Sequence, residues 1–212
     1  MKAWDEAWAT SEGRADWLVP EPFVLTLATD LYAQGVRRCL DLGCGLGRHS
    51  LALCELGMDI TAIDTSPNGL LHTQETALEM GCQINLACAD MGDLPFRHLS
   101  FDLIVSWNVL YHGMLHDVER AIAEIRRCLV PGGWLLCTFI SVNNRHYGQG
   151  DIIEPGTYAD PESYEKAHPH HYLDRQGIDE LLQGFEFLYC EEADPDQVNN
   201  DHWWVLARLC DV

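Results

Sequence analysis

A short strand that runs directly into a glycine-rich turn and then a helix leaves a chain few folds to adopt. Residues 37–42 (Arg-Arg-Cys-Leu-Asp-Leu) read as that strand, Gly43-Cys44-Gly45-Leu46-Gly47 as the turn, and His49 to Gly57 as the helix. Leu51, Leu53, Cys54 and Leu56 supply its apolar positions and Gly57 its C-terminal stop, a role that suits glycine. The pattern then repeats. Asp59 to Ile63 is a β-branched strand, Ser66-Pro67 opens a helix that ends at Gly81, and Gln83 to Cys88 and Phe101 to Trp107 are two further strands. Val118, Ile122, Ile125 and Leu129 recur at helical spacing, Pro131-Gly132-Gly133 stops that helix, and Trp134 to Ile140 is a fifth strand. Apolar strands alternating with helices require a parallel sheet covered on both faces, with right-handed crossovers. After a helix over Ile178 to Gln183, the strands Phe185 to Cys190 and Trp203 to Leu209 are joined by Glu191 to His202. That loop cannot hold a crossover helix, so the pair is an antiparallel hairpin. The expected fold class is α/β, a doubly wound, seven-stranded mixed sheet with a carboxy-terminal antiparallel hairpin.

Charge narrows the function classes. Thirteen Lys and Arg against 33 Asp and Glu give a net charge of −20 in 212 residues. A nucleic-acid binder needs basic patches that displace phosphate counterions, and anionic lipid demands the same sign. That leaves small molecules or basic protein partners; a small-molecule acceptor is expected, with no nucleic acid and no membrane. The start, Met1-Lys2-Ala3-Trp4-Asp5-Glu6, has acids where a signal peptide would be apolar. Nine Cys without a CxxC fit buried reduced thiols, and a cytoplasmic location is expected.

The turn itself favours one ligand class. A dinucleotide fingerprint, G-x-G-x-x-G, would place its third glycine at position 48, which is Arg48. The observed spacing is G-x-G-x-G, preceded by Asp41. A carboxylate there repels a pyrophosphate and attracts an ammonium or sulfonium. Asp64 ends the second strand, where a carboxylate can accept both ribose hydroxyls. Asp90 ends the third, where it can accept from an adenine amine with Met91 against the ring. Each Asp alone could merely cap a turn; three on successive strand ends describe a nucleoside site.

Together with Phe101-Asp102-Leu-Ile-Val105 and Leu129-Val-Pro-Gly-Gly133, these residues resemble the class I S-adenosylmethionine-dependent methyltransferases of small-molecule type. The compact size and His-His-Tyr-Leu segment bear a weaker resemblance to the tellurite-resistance type. The resemblance implies a Rossmann-like fold and S-adenosyl-L-methionine as cofactor. It implies that Asp41 and the loop Gly43, Cys44, Gly45 and Gly47 lie near the methionine part, Asp64 with Thr65 at the ribose, and Asp90 with Met91 at the adenine. Trp107 and Asn108 would line the methyl-donor site. The chain divides into a helical cap (1–35), a cofactor-binding core (36–140), a substrate-side connection (141–175) and a terminal helix and hairpin (176–212), all one domain, monomeric or homodimeric.

The acceptor, a small molecule or metalloid, is expected beyond strand four. His112 and Tyr111 follow that strand and are the catalytic candidates, while Trp17, His171 and Tyr172 are the substrate-side ones. The place of an Asn/Asp-Pro-Pro-Tyr/Phe motif reads Trp107-Asn108-Val109-Leu110, so methylation of DNA bases or glutamine is not expected. His168-Pro169-His170-His171 sits in a proline-broken stretch without a nearby Cys, a poor match to zinc-ligand spacing, and no metal is expected. Arg48 could pair with an acidic substrate or a nearby Asp, and His49 caps or packs locally. Two alternatives stand beside the enzyme: a non-catalytic nucleoside-binding protein on the same fold, and an NAD-dependent oxidoreductase, which the glycine spacing disfavours.

Overall fold

A computed structural model describes residues 2–163, 167–193 and 202–210. Three helices precede the sheet: α1 (Lys2–Trp8), α2 (Ser11–Arg14) and α3 (Pro22–Ala33). The core follows as β1 (Arg38–Leu42), α4 (Arg48–Glu55), β2 (Asp59–Asp64), α5 (Pro67–Met80), β3 (Ile84–Cys88), β4 (Phe101–Ser106), α6 (Leu115–Cys128) and β5 (Leu129–Ile140). Then come β6 (Asp151–Glu154), β7 (Thr157–Ala159), β8 (His170–His171), α7 (Arg175–Leu181), β9 (Phe185–Ala193) and β10 (His202–Leu209).

The main sheet has seven strands in the order β3-β2-β1-β4-β5-β10-β9. β1 to β5 pair in parallel, and β10 runs antiparallel to both β5 and β9. The order reverses between β1 and β4, and open α/β sheets bind ligands at such a switch point, outside the carboxyl ends of the strands. The central strands are apolar on both faces because both are covered. Leu40, Leu42 and Ile104 pack toward α6 and α7, while Cys39, Leu103 and Val105 pack toward α3 and α4. Val118, Ala121, Ile122 and Ile125 of α6 are fully buried on one stripe.

Helix α5 starts where its sequence says it should. The Ser66 hydroxyl accepts from Gly69 N at 3.0 Å, Pro67 occupies the first turn, and Gly81 closes the helix at φ 70°. Several boundaries differ from expectation, among them α7, which spans Arg175–Leu181, and β9, which runs to Ala193. Helix α4 ends at Glu55, not Gly57, because Gly57 at φ 99° already donates back to the Cys54 carbonyl. Strand β5 begins at Leu129 and takes in Pro131-Gly132-Gly133. A register shift against β4 and the positive φ of Gly132, 70°, absorb those residues within the strand.

The connection after β5 carries structure that sequence reading left out. Strands β6, β7 and β8 form a small antiparallel sheet. It is clipped onto the segment after β4 by an antiparallel bridge between His112 and His170, by His171 N donating to the Tyr111 carbonyl at 2.9 Å and by Gly113 N donating to that of Pro169 at 2.8 Å. On the other side, α1 is tied to α5 through Asp5, whose carboxylate accepts from Ser66 Oγ at 2.6 Å and Asn68 N at 2.9 Å. These bonds hold the Asp5 carboxyl below its ordinary range. No helix among the described residues is long and apolar enough to cross a membrane.

Candidate active site

A cavity of about 460 Å³ opens over the carboxyl ends of β1 to β4. The amino-terminal helices, the glycine turn and the β5–β8 connection wall it in. Its floor is the turn after β1. Gly43, Gly45 and Gly47 all have positive φ (75°, 56° and 78°), a region L side chains enter only with strain. A methyl group on Gly43 would lie 2.4 Å from Val109 Cγ2, and one on Gly45 would lie 2.9 Å from the Trp8 ring. The turn therefore keeps bare backbone against the cavity. Gly43→Ala is expected to destabilise the chain by about 1–2 kcal/mol from backbone strain alone and to weaken ligand binding; urea unfolding and calorimetry check it, and unchanged values in both would remove this role.

Of the nucleoside-site residues expected from sequence, Gly43, Cys44, Gly45, Asp64 and Thr65 lie on the cavity wall. So do Asp90, Met91, Trp107 and Asn108. Asp64 is half-buried and accepts from Gly45 N at 2.9 Å and Ser66 N at 2.8 Å. Burial pushes its carboxyl up, against the lowering by those N–H donors. Asp90 is exposed and accepts from Gly92 N at 2.9 Å. Asn108 holds a left-handed conformation at φ 61°, with its N–H on Thr138 Oγ1 at 2.7 Å.

Asp41 and Gly47 are placed differently. Neither is on the wall. Asp41 lies beneath the turn, 2% exposed, and accepts from Ser50 Oγ at 2.5 Å. Burial raises its carboxyl to about 6, against the two hydrogen bonds from Ser50. Gly47 is the residue from which α4 starts, packed on Thr73. Arg48 does not pair with an Asp: it donates to the Val19 carbonyl at 3.2 Å and lies 3.6 Å from Glu21. His49 packs as expected. It is buried, accepts from Glu21 N at 3.2 Å, and is held neutral, its pKa lowered to about 3 by burial and then by Arg48.

The roof is aromatic. Trp4 packs 5.6 Å from Trp8 and edge-on to Trp17 at 5.0 Å, and all three line the cavity. Trp17 was expected there. The buried Trp8 indole N–H has no acceptor among the described residues, which fits a cavity whose ligand brings one.

The far wall brings Tyr111 and His112 together, rings 4.6 Å apart, as the chain order implied. The expected His171 and Tyr172 are not on it. His171 turns to the other side of the small sheet, where its Nδ1 meets Thr157 Oγ1 at 2.7 Å. Tyr172 is buried among Tyr147 and Tyr158, which pushes its phenol up to about 12 by burial. His168 and His170 take their place on the wall, with Arg145 and His146 beside them. The His-rich segment was the right signal, but successive strand residues face opposite ways, and a two-residue strand shows no alternation from which to read its facing.

The model of a methyltransferase domain matches residues 40–137. The ubiquinone biosynthesis O-methyltransferase of Xanthomonas campestris pv. campestris is 36% identical over 176 residues, covering 81% of this chain and 70% of that one. Among solved structures, an SAM-dependent methyltransferase from Methanosarcina mazei superposes with a TM-score of 0.76 at 24% identity, covering 92% of this chain and 100% of that one. TehB from Haemophilus influenzae gives 0.66 at 23% identity, covering 89% and 62%. Against several other curated relatives, sterol and tRNA methyltransferases among them, the chain spans 24–51% of their length. The 36% identity over most of both chains to the Xanthomonas enzyme, taken with the glycine turn and the strand-end carboxylates around one cavity, means that the chain belongs to the class I S-adenosylmethionine-dependent methyltransferases.

Proposed function

We propose that the chain transfers the methyl group of S-adenosyl-L-methionine to a small-molecule acceptor. The observation that carries this reading is the single cavity in which Gly43, Gly45, Asp64 and Asp90 form one end and Tyr111, His112, His168 and Trp17 the other. The cofactor supplies an already activated methyl on a sulfonium, so the protein's task is position and orientation. Asp64 accepts the ribose hydroxyls, Asp90 accepts the adenine amine, and the bare backbone of Gly43 and Gly45 lets the amino-acid part approach. The Trp4, Trp8 and Trp17 wall excludes water. A proton leaving the acceptor passes to the His112 and His168 pair, whose Nδ1 and Nε2 lie 2.7 Å apart, an arrangement suited to general-base work. A polynucleotide acceptor is disfavoured by the net charge of −20.

Steady-state kinetics over a panel of hydroxyl, thiol and amine acceptors test the reading. His112→Ala and Trp17→Ala are expected to lower turnover or raise acceptor KM, with cofactor affinity held within about threefold, because neither is assigned to the cofactor. His171→Ala, off the cavity, should leave acceptor kinetics unchanged. Equal kinetics in all three variants would place the acceptor elsewhere, and no turnover with any acceptor despite cofactor binding would favour the nucleoside-binding alternative.

A further inference from the structure

We infer that His112, His168 and His170 form a binding site for one divalent transition-metal ion of the zinc class, at the acceptor end of the cavity. This rests on the methyltransferase reading only for the ion's role, not for its binding. The three residues come from two distant parts of the chain, the turn region after β4 and the His168-Pro169-His170 segment. The candidate ligand atoms, one per residue, lie within 4.8 Å of one another. All three side chains line the cavity. The two backbones that carry them are paired, through the His112 and His170 bridge and the Gly113 N–H on the Pro169 carbonyl, so the cluster is set by ordered main chain.

The hydrogen bonds on the outer sides of two rings favour metal ligation. His112 Nε2 lies 3.0 Å from the Asn108 carbonyl and His170 Nδ1 lies 2.8 Å from the His168 carbonyl. A carbonyl oxygen only accepts, so both those nitrogens carry protons, and in a neutral imidazole the opposite nitrogen is then the lone pair. For His112 that lone pair is Nδ1, which faces His168 Nε2 at 2.7 Å. For His170 it is Nε2. Metal-ligating histidines are anchored in this way, the distal N–H on a backbone carbonyl and the proximal nitrogen unprotonated. The left-handed Asn108, φ 61°, belongs to the turn that presents one of the two anchoring carbonyls.

The spacing is within reach of an ion. Zinc–nitrogen bonds of about 2.0–2.1 Å at tetrahedral angles put ligand nitrogens roughly 3.4 Å apart. The His112 and His168 nitrogens, now sharing a proton at 2.7 Å, need to part slightly, and the third needs to draw in from within 4.8 Å. Ring rotations supply both, and the proton on His168 Nε2 moves to Nδ1, so that a neutral His168 ligates through Nε2. Three imidazoles leave the fourth position open, and all three residues line the cavity. A chain of net charge −20 also attracts cations.

Two states of the site divide the roles: in the ion-free chain the His112 and His168 pair takes the acceptor's proton, and in the ion-bound chain the same nitrogens hold the ion. An acceptor hydroxyl or thiol that binds the open position is acidified, its proton leaves to solvent, and its lone pair attacks the methyl carbon as the carbon–sulfonium bond breaks. The acceptor class this selects is a small molecule with an ionisable O–H or S–H. No electron is gained or lost.

The test is a titration of the full chain, freed of metal by a chelator, with Co2+ followed by visible absorption and with Zn2+ followed by histidine ring NMR. One equivalent of Co2+ with a d–d band is expected, and Zn2+ should shift the ring signals of these three histidines and not those of His49 or His171. His168→Gln and His170→Gln should each lose the band and weaken Co2+ binding at least tenfold, with S-adenosylhomocysteine affinity within threefold of the parent as the check on folding. Absence of stoichiometric Co2+ binding in a chain that binds S-adenosylhomocysteine overturns the metal site alone. Persistence of the band in both variants, a thiolate charge-transfer band, or unshifted ring signals with Zn2+ in the parent chain does the same. Loss of S-adenosylhomocysteine binding by the parent chain would instead count against the methyltransferase reading.

Discussion

Replacing Asp64 with Ala is expected to weaken binding of S-adenosylmethionine, or of its demethylated product, by about 1.5–3 kcal/mol, roughly 10- to 150-fold. Two effects act together. The carboxylate has about four lone-pair positions, and the backbone N–H groups of Gly45, Ser66 and Thr65 draw on it. The remaining acceptor capacity faces the cavity wall, where ribose hydroxyls can use it. Alanine removes those acceptors and also releases the Gly45 N–H, which helps to hold the glycine turn in its left-handed shape. Asp64→Asn separates the effects. It keeps one oxygen for the turn, but its amide group is a donor where the carboxylate accepts, so it is expected to preserve thermal stability better than Ala while still losing affinity. Isothermal titration calorimetry measures both variants. A dissociation constant within twofold of the parent for Asp64→Ala, or tight NAD binding by the parent, would end the assignment of Asp64 to the ribose.

The reasons Asp64 could be singled out from sequence, and His170 could not, are physical. The doubly wound sheet was legible because its central strands β1 and β4 are runs of apolar residues buried on both faces, and the crossovers carry starts or stops such as Ser66-Pro67 and Gly81. A strand-end carboxylate beside a glycine turn has a position fixed by topology alone, so Asp64, Asp90 and Met91 fall on the cavity as expected. Asp41 shows the limit of that logic. It precedes the turn by two residues, but strand residues alternate in facing, and the side chain goes under the turn to Ser50. The acceptor side depends on a small sheet whose longest strand has four residues. Strands that short carry no readable period, so the His-rich segment could be assigned to the site but not residue by residue. The aromatic roof was legible as a Trp-rich cap, and its closure by Asp5 onto the start of α5 is a long-range contact that no local pattern encodes.

Asp41→Asn is expected to remove about 3 kcal/mol of pH-dependent destabilisation from the unliganded protein. The Asp41 carboxyl rises from 3.8 to about 6 on folding, because burial disfavours its charged form by more than Ser50 restores; at about 1.36 kcal/mol per tenfold change this is roughly 3 kcal/mol. The sign follows from which state holds the proton more tightly, and here it is the folded one. Asp41 therefore contributes favourably below pH 3.8, and that contribution is lost as the pH rises through about 6. Above that pH the folded chain carries a buried carboxylate, 2% exposed, beneath the glycine turn. Asparagine fills the same space, keeps an oxygen for the Ser50 hydroxyl and has no charge to bury. The other acids titrate alike in both proteins, so the reading is the difference between parent and variant in urea-unfolding stability across pH. That difference should move in favour of the variant by about 3 kcal/mol between roughly pH 3.5 and 7. The same substitution should weaken cofactor binding at pH 7, since the ionised carboxylate favours a cationic amino-acid end near the turn, and binding that cation should in turn draw the Asp41 pKa down. The two expectations have opposite signs, stability up and affinity down, which a mere packing defect would not produce. Parallel stability profiles for the two proteins across that pH range would show that Asp41 does not titrate there, and a more stable variant with unaltered cofactor affinity would show that its charge serves neither the fold nor the ligand.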